Sequence, residues 1–184
     1  MKNIASLTAI AVLMGSAFAT NAASTGTITF NGMVTDTTCN VSVDGQGADA
    51  TVTLPTVPAT ELAAAGKTTG RTNFNMSLSD CVVGAEGENT VAAFFQTGAT
   101  VDNNTGRLKQ TSAAGAENVS LQLRDGTNDN VIFAGNQNQA TTNAFAQIKD
   151  GEEIVLPYAV EYYAESAAIS GVVTSSVVYN LQYK

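Results

Sequence analysis

Residues 171–184 read GVVTSSVVYNLQYK and form the most regular alternating stretch of the chain. Every second residue shares one face, which holds Gly171, Val173, Ser175, Val177, Tyr179, Leu181 and Tyr183. The opposite face is largely polar. Alternation of β-branched and aromatic residues with a period of two predicts a strand with one buried face. Because a terminal strand gains nothing from such regularity when loose, we expect it to be tied into a sheet.

A second alternating stretch lies near the other end, where residues 24–34 read STGTITFNGMV. One face carries Gly26, Ile28, Phe30 and Gly32, and the other carries Thr25, Thr27, Thr29 and Asn31. The same reasoning predicts a strand here.

Short alternating runs separated by turn signals such as Asp44-Gly45 fill the chain between these ends. The runs lie at Val41/Val43, Val52/Leu54, Phe74–Leu78, Val91–Phe95, Val119–Leu123, Val131–Phe133 and Ile154–Tyr162. Many short strands with regular turns predict an all-β sandwich or barrel. Only residues 60–65 favour a helical turn, and no linker or repeat divides the chain, which predicts one domain over residues 23–184.

The first 22 residues have the pattern of a secretory signal peptide: Lys2, an apolar run, and small residues at a cleavage site after Ala22 or Ala23. Removal of residues 1–22 leaves 162 residues with sixteen acidic and seven basic side chains, a net charge of −9. That charge argues against nucleic acid and anionic membrane surfaces as partners. Two cysteines in an exported chain, Cys39 and Cys81, predict one disulfide.

Enzymatic activity is the class of function that the sequence supports least. The chain has no histidine, so the usual Ser-His and Cys-His nucleophiles are absent. The carboxylates of Glu86/Glu88 and Glu152/Glu153 follow glycines and are expected in solvated turns. Residues 125–130 lack the spacing of an EF-hand loop, which favours a hairpin turn. We therefore expect no catalytic residues, no metal and no cofactor.

The ordered set of motifs resembles the fimbrial subunits of the chaperone–usher class, most closely the major pilin of type 1 or P fimbriae. The resemblance rests on TITFNGxV at 27–34, on Cys39 and Cys81, on Gly171 as the fourteenth residue from the C-terminus, and on the penultimate Tyr183. It covers the whole chain after the signal peptide.

This resemblance implies an incomplete immunoglobulin-like β-sandwich that lacks its last strand. A periplasmic chaperone would fill the gap first, and an N-terminal extension of the next subunit would replace it at an outer-membrane usher. Residues 23–33 match that donor extension, with Ser24 as its outermost position and Gly26, Ile28, Phe30 and Gly32 facing inward. The final strand, which would face chaperone or donor, matches Gly171, Val173, Val177, Tyr179, Leu181 and Tyr183. The implied function is a structural subunit of a surface fimbria that supports adhesion, with copies of itself and other fimbrial subunits as partners.

Three alternatives stay open from the residues alone. Both terminal strands fit ordinary pairing inside a closed sandwich. A fimbrial adhesin or secreted sugar-binding sandwich shares the all-β composition, although an adhesin would normally carry a second domain. A small outer-membrane β-barrel needs strands of about ten residues, and most runs here are shorter.

Overall fold

The computed structural model describes residues 26–84, 87–149 and 151–184. The chain divides into two units, residues 1–33 and 34–184. The predicted signal peptide and Ser24 lie outside the described residues. In the described part of the first unit, residues 26–33 belong to no helix or strand.

The second unit is all-β, as predicted. Within the described residues its strands are β1 (Thr38–Val43), β2 (Thr68–Val82), β3 (Thr90–Phe95), β4 (Leu108–Lys109), β5 (Glu117–Asp125), β6 (Val131–Ile132), β7 (Ala146–Gln147), β8 (Ile154–Ile169) and β9 (Tyr179–Tyr183). A short 3-10 helix at Ala59–Leu62 confirms the predicted helical turn, and the one-turn helix α1 (Gln139–Thr142) was not predicted. No helix in these ranges has the length and apolar character needed to cross a membrane.

The strands form two sheets that pack face to face. The larger sheet has the order β1-β2-β8-β5-β4, with β6 also paired to β5, and the smaller has the order β7-β3-β9. One cluster of buried side chains from both sheets forms the core. The rings of Phe95 in the small sheet and Tyr158 in the large sheet pack edge to face with their centres 5.2 Å apart. The Ala93 amide of the small sheet donates to the Tyr158 hydroxyl at 2.9 Å. The predicted sandwich is therefore confirmed.

Arg107 fastens the loop before β4 to the outer surface of β8. Its Nε and Nη2 atoms donate to the two carboxylate oxygens of Glu165 at 2.7 and 2.8 Å, and its guanidinium lies 4.0 Å from the centre of the Tyr163 ring. Burial by itself raises the pKa of Glu165, but the hydrogen bonds from Arg107 and Ser120 outweigh burial and hold this pKa below its ordinary value of 4.5. Bidentate geometry of this kind makes an ion pair specific as well as favourable.

Three predicted strands differ from the structure. Within the stretch 24–34, residues 26–34 form no strand, and Val52 and Leu54 belong to neither sheet. The strand predicted for residues 171–184 has ladder pairing only over Tyr179–Tyr183, apart from one isolated bridge at Val172. Alternation reports which side chains are shielded, whereas a strand also requires a neighbouring backbone with matching hydrogen-bonding groups.

Candidate functional site

The two sheets present free edges on the same side of the sandwich. β1 ends the large sheet and β9 ends the small sheet, so each has a strand neighbour on one side only within the described chain. Residues of both edges, among them Cys39, Val41, Leu181 and Tyr183, line one opening of about 820 Å³. A free edge carries unpaired backbone N–H and C=O groups, which makes it a template for another strand.

This opening continues along the sandwich as a groove over the core. The adjoining space of about 530 Å³ shares Ala48, Asp49, Val177 and Tyr179 with the first opening. Its floor is formed by apolar side chains of the core, which are Phe74, Met76, Phe95, Leu108, Leu121, Leu123 and Val160. The groove therefore gives an incoming segment access to the centre of the sandwich.

One lip of the groove is formed by residues 48–57, which belong to no helix or strand. The side chains of Val52, Leu54 and Val57 are half-buried, and the residues between them are exposed. Two tyrosines of the opposite side reach this lip: the hydroxyl of Tyr179 donates to the Ala48 carbonyl at 2.8 Å, and that of Tyr162 donates to the Pro55 carbonyl at 3.2 Å. These hydrogen bonds hold the lip above the core without closing it into a sheet.

The other lip is the C-terminal stretch 171–183. Val173, Val177, Tyr179, Leu181 and Tyr183 are all half-buried, whereas Val172, Thr174, Ser176, Val178 and Asn180 are exposed. Residues 174–178 are held by loop atoms on one side, for example by the Thr111 amide, which donates to the Thr174 carbonyl at 2.9 Å. The apolar face predicted from the sequence thus points toward the core and the groove.

Burial also raises the pKa values of the two tyrosines of this lip. It raises the pKa of Tyr183, and a hydrogen bond with the Cys39 backbone across the opening partly offsets that effect. Burial and the nearby Asp49 raise the pKa of Tyr179. Both phenols are therefore neutral hydrogen-bonding groups at physiological pH.

Gly171 lies at the far end of the groove and is exposed, unlike the other residues predicted for this face. A Cβ at this position would clash with the backbone of Gly115 and Ala116. A glycine here permits the close backbone approach at which Gly115 and Val172 form a parallel bridge. A third space of about 490 Å³ lies beside Gly171 and is lined in part by Val57, Leu62 and Val173.

The predicted donor residues are exposed. Ile28 and Phe30 expose 77% and 89% of their surface, and a Cβ on Gly26 or Gly32 would meet no atom within 4 Å.

The disulfide predicted from export is present between Cys39 and Cys81, and it joins β1 to β2. Cys39 lines the opening between the sheet edges. The bond therefore secures the edge strand of the groove to the neighbouring strand of the large sheet.

The candidate acidic side chains do not come together as a catalytic or metal site in the described residues. Glu152 and Glu153 are exposed as expected, and the segment after Asp125 is the predicted turn, closed by hydrogen bonds from the Thr127 and Ala144 amides to the Asp125 carboxylate. The expectation of a solvated turn is wrong for Glu88, which is 5% exposed. Glu88 is held by the Thr35 hydroxyl, a contact that no sequence pattern announces. Among the described residues, no group of three or more metal-ligating side chains comes together.

Two features of the groove were missed from the sequence. The alternation of Val52 and Leu54 predicts a strand in the lip at residues 48–57, where the structure has none. The tyrosine contacts to Ala48 and Pro55 join residues 131 and 107 positions apart, so no local pattern could reveal them.

The two sheet edges that border the opening, together with the apolar floor of the groove, are features typical of an all-β protein that binds a partner strand. The family model of the type-1 fimbrial protein A (FimA) matches residues 54–184. The major fimbrial subunit SMF-1 of Stenotrophomonas maltophilia is 47% identical over 176 residues, which cover 94% of this chain and 99% of that protein. The type-1 fimbrial protein A chain of Escherichia coli strain K12 is 30% identical, with 100% of this chain and 99% of that protein covered.

A solved structure has the same fold. The crystal structure of the P pilus rod subunit PapA matches with a TM-score of 0.60 at 20% identity and covers 79% of this chain and 99% of that one. The chain therefore belongs to the type-1 fimbrial protein A family. It is a non-enzymatic structural subunit of a surface fimbria and associates with other subunits in the fibre, which confirms the resemblance drawn from the sequence motifs.

Proposed function

We propose that the groove accepts a strand from the next subunit of the fibre, and that residues 23–33 are the strand this chain supplies in turn. The observation that carries the proposal is the groove itself, an apolar channel between β1 and β9 whose floor is the core of the sandwich. The domain is then an immunoglobulin-like sandwich without its final strand, and the fibre completes it.

Strand addition suits this groove physically. An extended segment between β1 and β9 would form main-chain hydrogen bonds with free edges, and alternate side chains would enter the apolar space below. The edges would cease to be aggregation sites once paired. Val173, Val177, Tyr179, Leu181 and Tyr183 form the wall along which the added strand would lie, and Gly171 marks its far end.

The extension has the matching pattern. Ile28 and Phe30 occupy alternate positions between Gly26 and Gly32, so one face offers two large apolar groups between two positions without side chains. Burial of each would contribute about 1.5–3 kcal/mol before ordering costs. Ser24 would be the outermost donor position, where exchange begins.

The route to the surface follows from the same groove. Removal of the signal peptide, residues 1–22, would deliver the subunit to the periplasm with its core accessible, a state that requires a partner strand to avoid aggregation. We assign that part to a periplasmic chaperone, and the exchange of its strand for a donor strand to an outer-membrane usher. Because SMF-1 is a major subunit, we infer the same role here, with a part in cell adhesion through the fibre.

A peptide binding experiment tests the proposal. Residues 34–184 form a compact unit, so a chain beginning at Val34 can be mixed with a synthetic peptide of residues 23–33. At a peptide concentration one hundred times Kd, binding should raise the free energy of unfolding of this unit by about 2.7 kcal/mol. For a domain of this size, that increase raises Tm by roughly 5–10 °C.

The controls use the two faces of the peptide. A peptide with Thr29→Asp, on the face turned away from the groove, should stabilise the unit nearly as well as the native peptide. A peptide with Phe30→Asp should not stabilise it. Equal Tm values with and without the native peptide would reject the donor assignment.

A further inference from the structure

The folded unit holds its chain firmly from Thr35 onward. The Thr35 hydroxyl donates to Glu88 Oε2 at 2.9 Å, and the Thr37 hydroxyl donates to the Glu88 carbonyl at 3.3 Å. The Gly84 amide donates to the Thr37 hydroxyl at 2.9 Å. Thr37 and Glu88 are 2% and 5% exposed, so this anchor is part of the interior.

The distance from this anchor to the donor strand is short. In the proposed fibre, residues up to Gly32 lie in the groove of the neighbouring subunit, and Thr35 is fixed in its own. Three residues span at most about 10 Å. The surfaces of two successive subunits must therefore approach within that distance, and Met33 and Val34 lie in the joint between them.

Met33 is a reactive group in the unassembled subunit. It exposes 68% of its surface, and the neighbouring Val34 exposes 94%. Once residues 1–22 are removed, Met76 is the only other methionine of the chain. Met76 is 1% exposed and belongs to the core. The subunit thus contains one accessible thioether and one shielded thioether, which serves as an internal reference.

We propose that Met33 is an oxidation site that hydrogen peroxide reaches in the free subunit and that assembly covers. In the reaction, one peroxide oxygen is transferred to the Met33 sulfur, which loses two electrons, and the peroxide is reduced to water. The product sulfoxide is polar where the thioether was apolar. Within a joint only about 10 Å long, such a group hinders the approach of the next subunit. This inference rests on the proposed donor function of residues 23–33.

Peptide mass spectrometry after timed exposure to hydrogen peroxide tests the site. In monomer refolded from denaturant and isolated by size, Met33 should oxidise at least tenfold faster than Met76. In intact fibres the Met33 rate should fall at least tenfold. Equal rates for the two methionines in monomer, or an unchanged Met33 rate in fibres, would overturn the inference.

Polymerisation of treated monomer tests the consequence. Wild-type monomer treated with peroxide should polymerise at least fivefold more slowly than its own untreated sample, whereas Met33→Leu, which has no thioether at this position, should show equal rates for both samples. Equal slowing of Met33→Leu would refute the role of Met33. Normal fibres from Phe30→Asp would instead refute the donor function, so the two failures are distinguishable.

Discussion

Replacement of Phe30 by aspartate is the most direct perturbation of the proposed assembly. Phe30 is 89% exposed in the subunit, so the substitution removes no packing from the chain that carries it. In the fibre the same side chain would occupy the groove above the core. We therefore expect a subunit that folds normally and does not polymerise.

The magnitude follows from two contributions. Loss of the phenyl group from the groove weakens the binding free energy between subunits by about 2–3 kcal/mol. The aspartate must also enter an apolar groove, where it is neutral rather than charged, and protonation of a carboxyl with an ordinary pKa near 3.9 at pH 7 costs about 4 kcal/mol. A total of about 6 kcal/mol corresponds to a contact weaker by roughly four orders of magnitude.

The assay combines electron microscopy of surface fibres with a periplasmic pull-down of the subunit by its chaperone. Thr29→Asp is the matched control, because it introduces the same charge one residue earlier on the opposite face. Phe30→Asp should give chaperone-bound subunit and no fibres, whereas Thr29→Asp should give both. Fibres from Phe30→Asp in normal number would refute the donor role, and loss of its chaperone complex would place Phe30 in the core of its own subunit.

Three further predictions concern the folded unit. Tyr183→Ser should destabilise it by about 2 kcal/mol through lost packing, as measured by Tm, whereas Asn180→Ser on the exposed face should change little; equal losses would contradict the assignment of faces. Replacement of Cys39 and Cys81 together by alanine should cost about 4 kcal/mol in urea unfolding, and an unchanged midpoint would contradict the role of the disulfide. The pKa of Glu165 is lowered in the folded state. The ionised carboxylate therefore stabilises the fold above about pH 5, and this stabilisation is lost as pH falls below about 4.5. Glu165→Gln should therefore show a flatter decline of stability in acid than wild type, and a decline of equal slope would exclude the ion pair as its source.

Much of the fold follows from alternation in the sequence. The pattern of residues 171–184 predicts the half-buried face correctly from Val173 to Tyr183, although Gly171 is exposed and Gln182 of the opposite face is also half-buried. Burial depends on which side of the chain faces the core. The pattern overestimated the strand, since residues 173–178 bind loop atoms on one side instead of a regular ladder. The length of a strand depends on the strands with which it pairs, and the sequence of the strand alone does not identify those partners.

The groove was less accessible to such reasoning than the strands. Within the part of the chain that the structure describes, neither β1 nor β9 has a second strand neighbour beside the open side of the groove, which is a property of the whole topology rather than of any segment. The lip at residues 48–57 is held by Tyr179 and Tyr162 from distant parts of the chain. A missing strand is proposed rather than shown, and only the motif resemblance predicts it from the sequence, since periodicity alone fits a closed sandwich equally well.

The arrangement of one groove and one extension on each subunit determines the kind of assembly that can form. In the proposed assembly the contact would join different surfaces of successive copies, so it would be heterologous and would propagate as an open fibre rather than a closed ring. Each copy would then have its core covered by one neighbour and would cover the core of another. Removal of a subunit from the interior of such a fibre would expose an apolar groove and the apolar face of a donor strand together. The persistence of the fibre should therefore be governed by the rate at which a completed sandwich opens, rather than by the affinity of an isolated strand.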